Sequence, residues 1–286
     1  MKPKKNFLSL LLIFSLFSCS SDSNSTDPPI EEEEFIRAAD MSFLPLIESE
    51  GTVYKHNDIA QDPITTLKNA GCNAIRIRLW KNPSDSHSGL AEVKTFAQRV
   101  KLAGLKVWLT VHYSDTWADP GNQAKPAAWQ SMDFNTLKTA VTDYTNEIMT
   151  EINPDIIQIG NETNDGMLWP EGKLLTNENQ YLQLVNAAST AIRSKSATTK
   201  IMLHYAGING SDWFFNKVSN VDYDYIGLSY YPIYHGTSLV ALQNTMNSLG
   251  QLYDKKVLIA ETAYPFTFGY NDYTNNIIGL PNQIIP

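Results

Sequence analysis

Two glutamates close otherwise apolar runs in this chain: Glu162 in Ile159-Gly160-Asn161-Glu162 and Glu261 in Leu258-Ile259-Ala260-Glu261. A facing pair of carboxyl groups is what glycoside hydrolysis requires. One must be protonated near neutral pH to assist the leaving oxygen, and the other must be ionised to attack the anomeric carbon. Burial and like-charge proximity raise one pKa and leave the other low. Asn161, directly before Glu162, is placed to bond a sugar 2-hydroxyl. Asn161-Glu162-Thr163 also spells a glycosylation sequon, a reading that a position inside a cleft disfavours.

These residues need a scaffold that collects strand ends. Short apolar runs expected as strands are Phe35–Met41, Ala74–Trp80, Lys106–His112, Asp155–Asn161, Lys200–Tyr205, Tyr225–Tyr230 and Lys256–Glu261. Between them Ile59–Ala70, Leu90–Ala103, Asn135–Ile152, Asn177–Ser194, Ser211–Ser219 and Leu239–Leu249 read as helices. Ala70-Gly71 and Ala103-Gly104 supply glycine stops, and Asn153-Pro154 ends another helix. Such alternation implies right-handed βαβ units and a parallel sheet. No Gly-x-Gly-x-x-Gly or phosphate-loop pattern supports a nucleotide-binding sheet. The expected fold is therefore an α/β TIM (β/α)8 barrel, whose active site gathers at the C-terminal strand ends. In order, those ends present Arg78 and Trp80, His112, Asn161-Glu162, His204, Tyr230-Tyr231 and Glu261.

Longer stretches resemble a known family. Asn-Glu after the fourth strand and Glu after the seventh resemble the retaining clan of barrel glycosidases. Arg76-Ile-Arg-Leu-Trp80, His112-Tyr-Ser-Asp-Thr-Trp-Ala-Asp-Pro120, Lys125-Pro-Ala-Ala-Trp129, Ile159-Gly-Asn-Glu-Thr-Asn164, Ser229-Tyr-Tyr-Pro232 with His235-Gly236, and Ala260-Glu-Thr-Ala-Tyr264 resemble the arabinogalactan endo-β-1,4-galactanases of glycoside hydrolase family 53. The resemblance covers residues 35 to about 275, and the His112–Pro120 run is its most specific part. It implies that Glu162 is the acid/base, that Glu261 is the nucleophile, and that the reaction retains configuration through a covalent galactosyl-enzyme. It also implies that the loop from Asp115 to Asn122 lines the sugar cleft. Bacterial members can carry a structural calcium after strand seven, but Thr262 to Asp272 holds one Asp and few other oxygen side chains, so no metal or cofactor is expected.

Residue chemistry fits that cleft. Trp117 and Trp80 offer flat faces to the apolar side of a galactose ring, while Asp115, Asp119 and Asn122 can bond its hydroxyls. Trp80 fits barrel packing as well, and Trp129 fits packing better. His112 and His204 fit either site residues or satisfied core histidines, and no His-x-x-x-His spacing suggests zinc. Arg76 and Arg78 share one strand face and need carboxylate partners. Arg78 is expected beside Glu261, with Arg76 deeper in a structural ion pair. Tyr230 is expected to bond the nucleophile and Tyr231 to shape the loop.

The remaining features set location and extent. Lys2, Lys4 and Lys5 precede an apolar run from Phe7 to Phe17 that is too short to span a bilayer. Leu16-Phe17-Ser18-Cys19 resembles a lipobox. Residues 1–18 are thus expected to be a lipoprotein signal peptide, and 19–34 a lipidated Cys19 with an acidic tether. That placement is outside the cytoplasm, on a cell-surface-facing outer membrane. Only Cys72 then remains, expected as a small core residue. The chain carries 22 basic and 30 acidic side chains and 43% hydrophobic residues, which disfavours disorder and general nucleic-acid binding. Residues 35–286 are expected to form the barrel, incomplete because Thr262 to Pro286 shows no eighth strand, so strands one and seven would be open edges and stability poor. The expected activity is endo-hydrolysis of galactan side chains of pectin by a monomer. The alternatives are a surface glycan-binding lipoprotein without turnover, or a related barrel glycosidase acting on another β-glycan.

Overall fold

The structure, a computed structural model, describes residues 34–263. The chain divides into two units, Met1–Phe35 and Ile36–Pro286, and the second carries every element below. Cys19, the tether, the loop read for calcium and the stretch searched for an eighth strand all lie largely or wholly outside the described residues. Among those residues no helix is long and apolar enough to cross a membrane.

Seven parallel strands run in sequence order: β1 (Ala38–Asp40), β2 (Ala74–Leu79), β3 (Lys106–Val111), β4 (Ile156–Ile159), β5 (Lys200–Ala206), β6 (Tyr225–Ser229) and β7 (Lys256–Glu261). All seven expected strands form; five are trimmed at their ends, β5 runs one residue further to Ala206, and β7 keeps its expected bounds. Among the described residues β1 pairs only with β2, and β7 only with β6. The helices are α1 (Leu44–Ser49), α2 (Pro63–Asn69), α3 (Leu90–Leu102), α4 (Phe134–Glu151), α5 (Leu174–Lys195), α6 (Ser211–Lys217), α7 (Pro232–His235) and α8 (Leu239–Tyr253). The sheet curls far enough for Arg76 on β2 to reach Glu261 on β7 across its interior.

Local chemistry accounts for the boundaries. Asp62 caps α2 by accepting from the Ile64 N–H, with Pro63 following at the first helical position. The expected helix from Ile59 therefore starts later, after a two-residue hairpin (Lys55–His56 with Ile59–Ala60) whose turn residues Asn57 and Asp58 are left-handed. Asp133 caps α4 through the Thr136 N–H. Gly104, at φ +74°, ends α3 in a conformation that an L side chain adopts reluctantly.

Strand parity divides the core. On β2, Ile75, Ile77 and Leu79 join the helix-facing core, whereas Arg76 and Arg78 face the interior. Trp108, Ile156, Met202, Tyr225 and Ala260 form a separate interior cluster that floors the site. One irregularity matters for chemistry. β6 and β7 stay in step through Leu228 opposite Ile259, but Ser229 then pairs with Glu261, leaving Ala260 as an extra residue. A regular strand would put Ala260 opposite Ser229 and turn Glu261 to the other face. The bulge brings Glu261 inward.

Candidate active site

Glu162 sits just past β4, in a turn that depends on a glycine two residues before it. Gly160 has φ +76°, and a Cβ there would lie 2.4 Å from Thr163 Cγ2. Glu162 itself has φ +47°, an uncommon conformation for a residue with a side chain. Several bonds hold it there. The Glu162 N–H donates to His204 Nδ1 (3.2 Å), the Thr163 N–H donates to the His204 carbonyl (3.0 Å), and Gln123 Nε2 bridges the carbonyls of Asn161 (2.8 Å) and Glu162 (3.2 Å). The Ser229 hydroxyl donates to Glu162 Oε1 at 2.5 Å.

Glu261 is met from two directions. Arg76 Nη2 donates to its Oε1 at 2.6 Å, and the Tyr231 hydroxyl donates to its Oε2 at 3.0 Å. Arg76 is 6% exposed and also bonds Asp40 (2.8 Å) and the Asn161 side-chain oxygen (3.1 Å). It therefore links Glu261, and Asn161 beside Glu162, to β1. Asn161 donates to the Ala118 carbonyl (2.9 Å), which uses one of its two amide protons and leaves the other for a substrate hydroxyl.

Two expected partners are corrected. Arg76, not Arg78, pairs with Glu261, because a long side chain from the deeper position reaches the centre. Arg78 is occupied elsewhere: its guanidinium lies 4.5, 4.2 and 4.3 Å from the rings of Phe43, Trp80 and Trp117, and it donates to Ser88 Oγ. Tyr231, not Tyr230, bonds Glu261. With Ser229 facing inward, strand alternation turns Tyr230 away and Tyr231 back in. Tyr230 donates instead to the Gly236 carbonyl and so pins the loop at α7.

The electrostatics of the site act on the Glu162 carboxyl. Burial raises the pKa of Glu162 to about 7, reinforced by the negative charge of Glu261. Asp119 adds to the rise, while the Ser229 hydroxyl and Arg76 oppose it. His112 and His204 are held neutral, by burial first and then by Arg76, with Arg78 acting on His112 as well. His112 Nδ1 accepts from the Ala118 N–H at 3.0 Å. Both histidines are thus buried organisers of the surrounding turns. Burial, then the Glu261 charge, raises the Tyr231 phenol, keeping it a hydrogen-bond donor.

The remaining expected residues form the rim. Trp117 is half-exposed and stacks in T-shaped contact with Trp80 at 5.6 Å. Asp115 is taken up by the loop itself, accepting from the backbone N–H groups of Asn82 (2.9 Å) and Ala127 (2.8 Å). These two bonds fix the loop that carries it. Asp119 is exposed and accepts from the Gly121 N–H, while Asn122 donates to the Trp117 carbonyl. Trp129 is buried against Tyr144, and Cys72 is half-buried with a free thiol. Among the described residues no cluster of His, Cys, Asp and Glu could hold a metal ion. Sequence reasoning passed over Ser229, Gln158, Gln123 and Phe43, whose types carry no chemical signal without the fold.

The model of glycosyl hydrolase family 53 matches residues 36–284. A probable arabinogalactan endo-β-1,4-galactanase A of Aspergillus terreus is 39% identical over 249 residues, covering 80% of this chain and 71% of the relative. The arabinogalactan endo-β-1,4-galactanase of Cellvibrio japonicus is 35% identical over 262 residues, covering 86% and 70%. Among solved structures, the family 53 catalytic domain of Ignisphaera aggregans superposes with a TM-score of 0.81 at 36% identity, covering 88% of this chain and 75% of that one.

Proposed function

The chain belongs to glycosyl hydrolase family 53, and from that premise we propose that it is a retaining endo-β-1,4-galactanase acting on the galactan side chains of pectin. The observation that carries this reading is the pair Glu162 and Glu261, set in opposed surroundings at the ends of β4 and β7. Glu162, held protonated near neutrality, gives its proton to the leaving glycosidic oxygen. Glu261, ionised and aimed by Arg76 and Tyr231, attacks the anomeric carbon to form a glycosyl-enzyme. Glu162 then takes a proton from water, which displaces Glu261 and restores the original configuration. Asn161 bonds the 2-hydroxyl beside this centre, and Trp117 supplies an apolar platform on the rim. An internal cut suits an enzyme tethered through a lipidated Cys19 outside the cytoplasm, since a polymer is too large to import whole.

A panel of galactan, arabinogalactan, mannan and β-glucan, with product sizes recorded, tests the proposal. Release of short galacto-oligosaccharides from galactan alone is expected. Preferred cleavage of mannan or β-glucan would replace the substrate, and galactan binding without new reducing ends would favour a non-catalytic glycan-binding role.

A further inference from the structure

His204, Ser229 and Glu162 come from three neighbouring strand ends, and their hydrogen bonds have a direction that can be assigned donor by donor. A backbone N–H only donates, so His204 Nδ1, 3.2 Å from the Glu162 N–H, accepts from it; the Asn161 side-chain oxygen, also 3.2 Å from Nδ1, takes its proton from Arg76 Nη2 at 3.1 Å instead. Gln158 Nε2 also donates to this nitrogen at 2.8 Å, and its identity as the amide nitrogen follows from its second bond, to the Gly160 carbonyl at 3.0 Å. The neutral, fully buried imidazole therefore carries its single proton on Nε2, 2.9 Å from Ser229 Oγ. A serine hydroxyl has one proton to give. Receiving from His204, Ser229 directs that proton to Glu162 Oε1.

We propose that His204 and Ser229 form a one-way relay that keeps Glu162 Oε1 an acceptor and so confines the exchangeable acid proton to Oε2. The relay starts at the Glu162 backbone N–H and ends at the Glu162 carboxyl, so it closes on a single residue. Without it either oxygen could hold the proton, and only one geometry delivers it to the glycosidic oxygen. His204 and Ser229 are positioning residues, and the inference rests on Glu162 being the acid/base. The other groups facing Glu162 are Glu261 on β7, Arg76 on β2, Asp119 in the loop after β3 and Tyr231 after β6, none of which a substitution at Ser229 alters.

The test uses Ser229→Ala, Ser229→Thr and Glu162→Gln in the full chain. Each is assayed on galactan and on an aryl β-galactobioside whose phenol leaves without protonation. Folding is checked by thermal unfolding. For Ser229→Ala the ratio of galactan to aryl-galactobioside turnover should fall about tenfold, the scale of a misdirected general acid. Its basic limb of kcat/KM should move to higher pH, because a bond favouring the ionised carboxylate is gone. Ser229→Thr, which keeps the hydroxyl, should restore both; should it fail to fold, the Ala variant alone decides. A folded Ala variant with an unchanged ratio and limb overturns the relay, as does an equal loss on both substrates with an unmoved limb. Wild-type turnover of galactan by Glu162→Gln would instead remove the acid/base assignment itself.

Discussion

Replacing Arg76 by Met separates the roles of its two ion pairs. Arg76 is almost fully buried, its Glu261 partner has a side chain 19% exposed, and its Asp40 partner one 44% exposed. Removing one member of a buried pair costs about 3–5 kcal/mol, because the other charge is left in low dielectric without compensation. Glu261 keeps the Tyr231 hydroxyl and some solvent, so its share falls toward about 2–3 kcal/mol. Water screens the Asp40 contact, which adds about 1 kcal/mol or less. Arg76→Met should therefore destabilise by about 3 kcal/mol, and Asp40→Asn by about 1 kcal/mol or less. Adding Glu261→Gln to Arg76→Met removes the stranded charge, so the double variant should recover about 2 kcal/mol relative to Arg76→Met. Urea unfolding of the full chain, with all variants at one pH, gives each term. Equal losses for Arg76→Met and Asp40→Asn, or strict additivity in the double variant, would show that Glu261 is not left as a stranded buried charge.

Three further outcomes follow from the same geometry. Wild-type kcat/KM on galactan should fall above about pH 7 as Glu162 loses its proton, and Asp119→Asn, by removing a negative charge that favours the protonated form, should move that limb to lower pH; a limb that stays put contradicts the electrostatic origin. Tyr231→Phe should lower kcat about tenfold with KM little changed, because it deletes a donor to Glu261, while Tyr230→Phe should act mainly on unfolding temperature through the α7 loop; steady-state kinetics of the pair decide it. Gly160→Ala should cost about 2–3 kcal/mol or prevent folding, since a Cβ would meet Thr163 in a left-handed turn, and unfolding as stable as wild type would show that the turn tolerates a side chain.

Much of the fold was legible because the barrel interior is floored by apolar side chains and its helices end at glycine or Asn-Pro. These are local signals, and the seven strands appear where they place them. Glu162 and Glu261 were legible as carboxyls terminating apolar runs. Their partners were not. Period-two alternation alone turns Glu261 outward, and the extra residue at Ala260 that corrects it leaves no mark in composition. Arg76 and Arg78 share a face and a type, so their exchange of roles depends on side-chain reach across the sheet. Tyr230 and Tyr231 differ only in parity, which requires knowing that Ser229 points in. Ser229 and Gln158 act through direction of donation, a property of the assembled site and not of residue type. The short helix α1, led by Leu44 and Pro45, was missed because six residues give too little periodicity.

In the proposed reaction Glu261 becomes covalently glycosylated while Glu162 serves as acid and base. Incubating the protein with an activated 2-deoxy-2-fluoro aryl β-galactobioside slows turnover of the intermediate enough to weigh it. One added glycosyl unit is expected in the intact mass, located by peptide mapping on Glu261, with Glu261→Gln remaining unlabelled. A label on Glu162, or hydrolysis of galactan by a protein that never accepts the label, would contradict it.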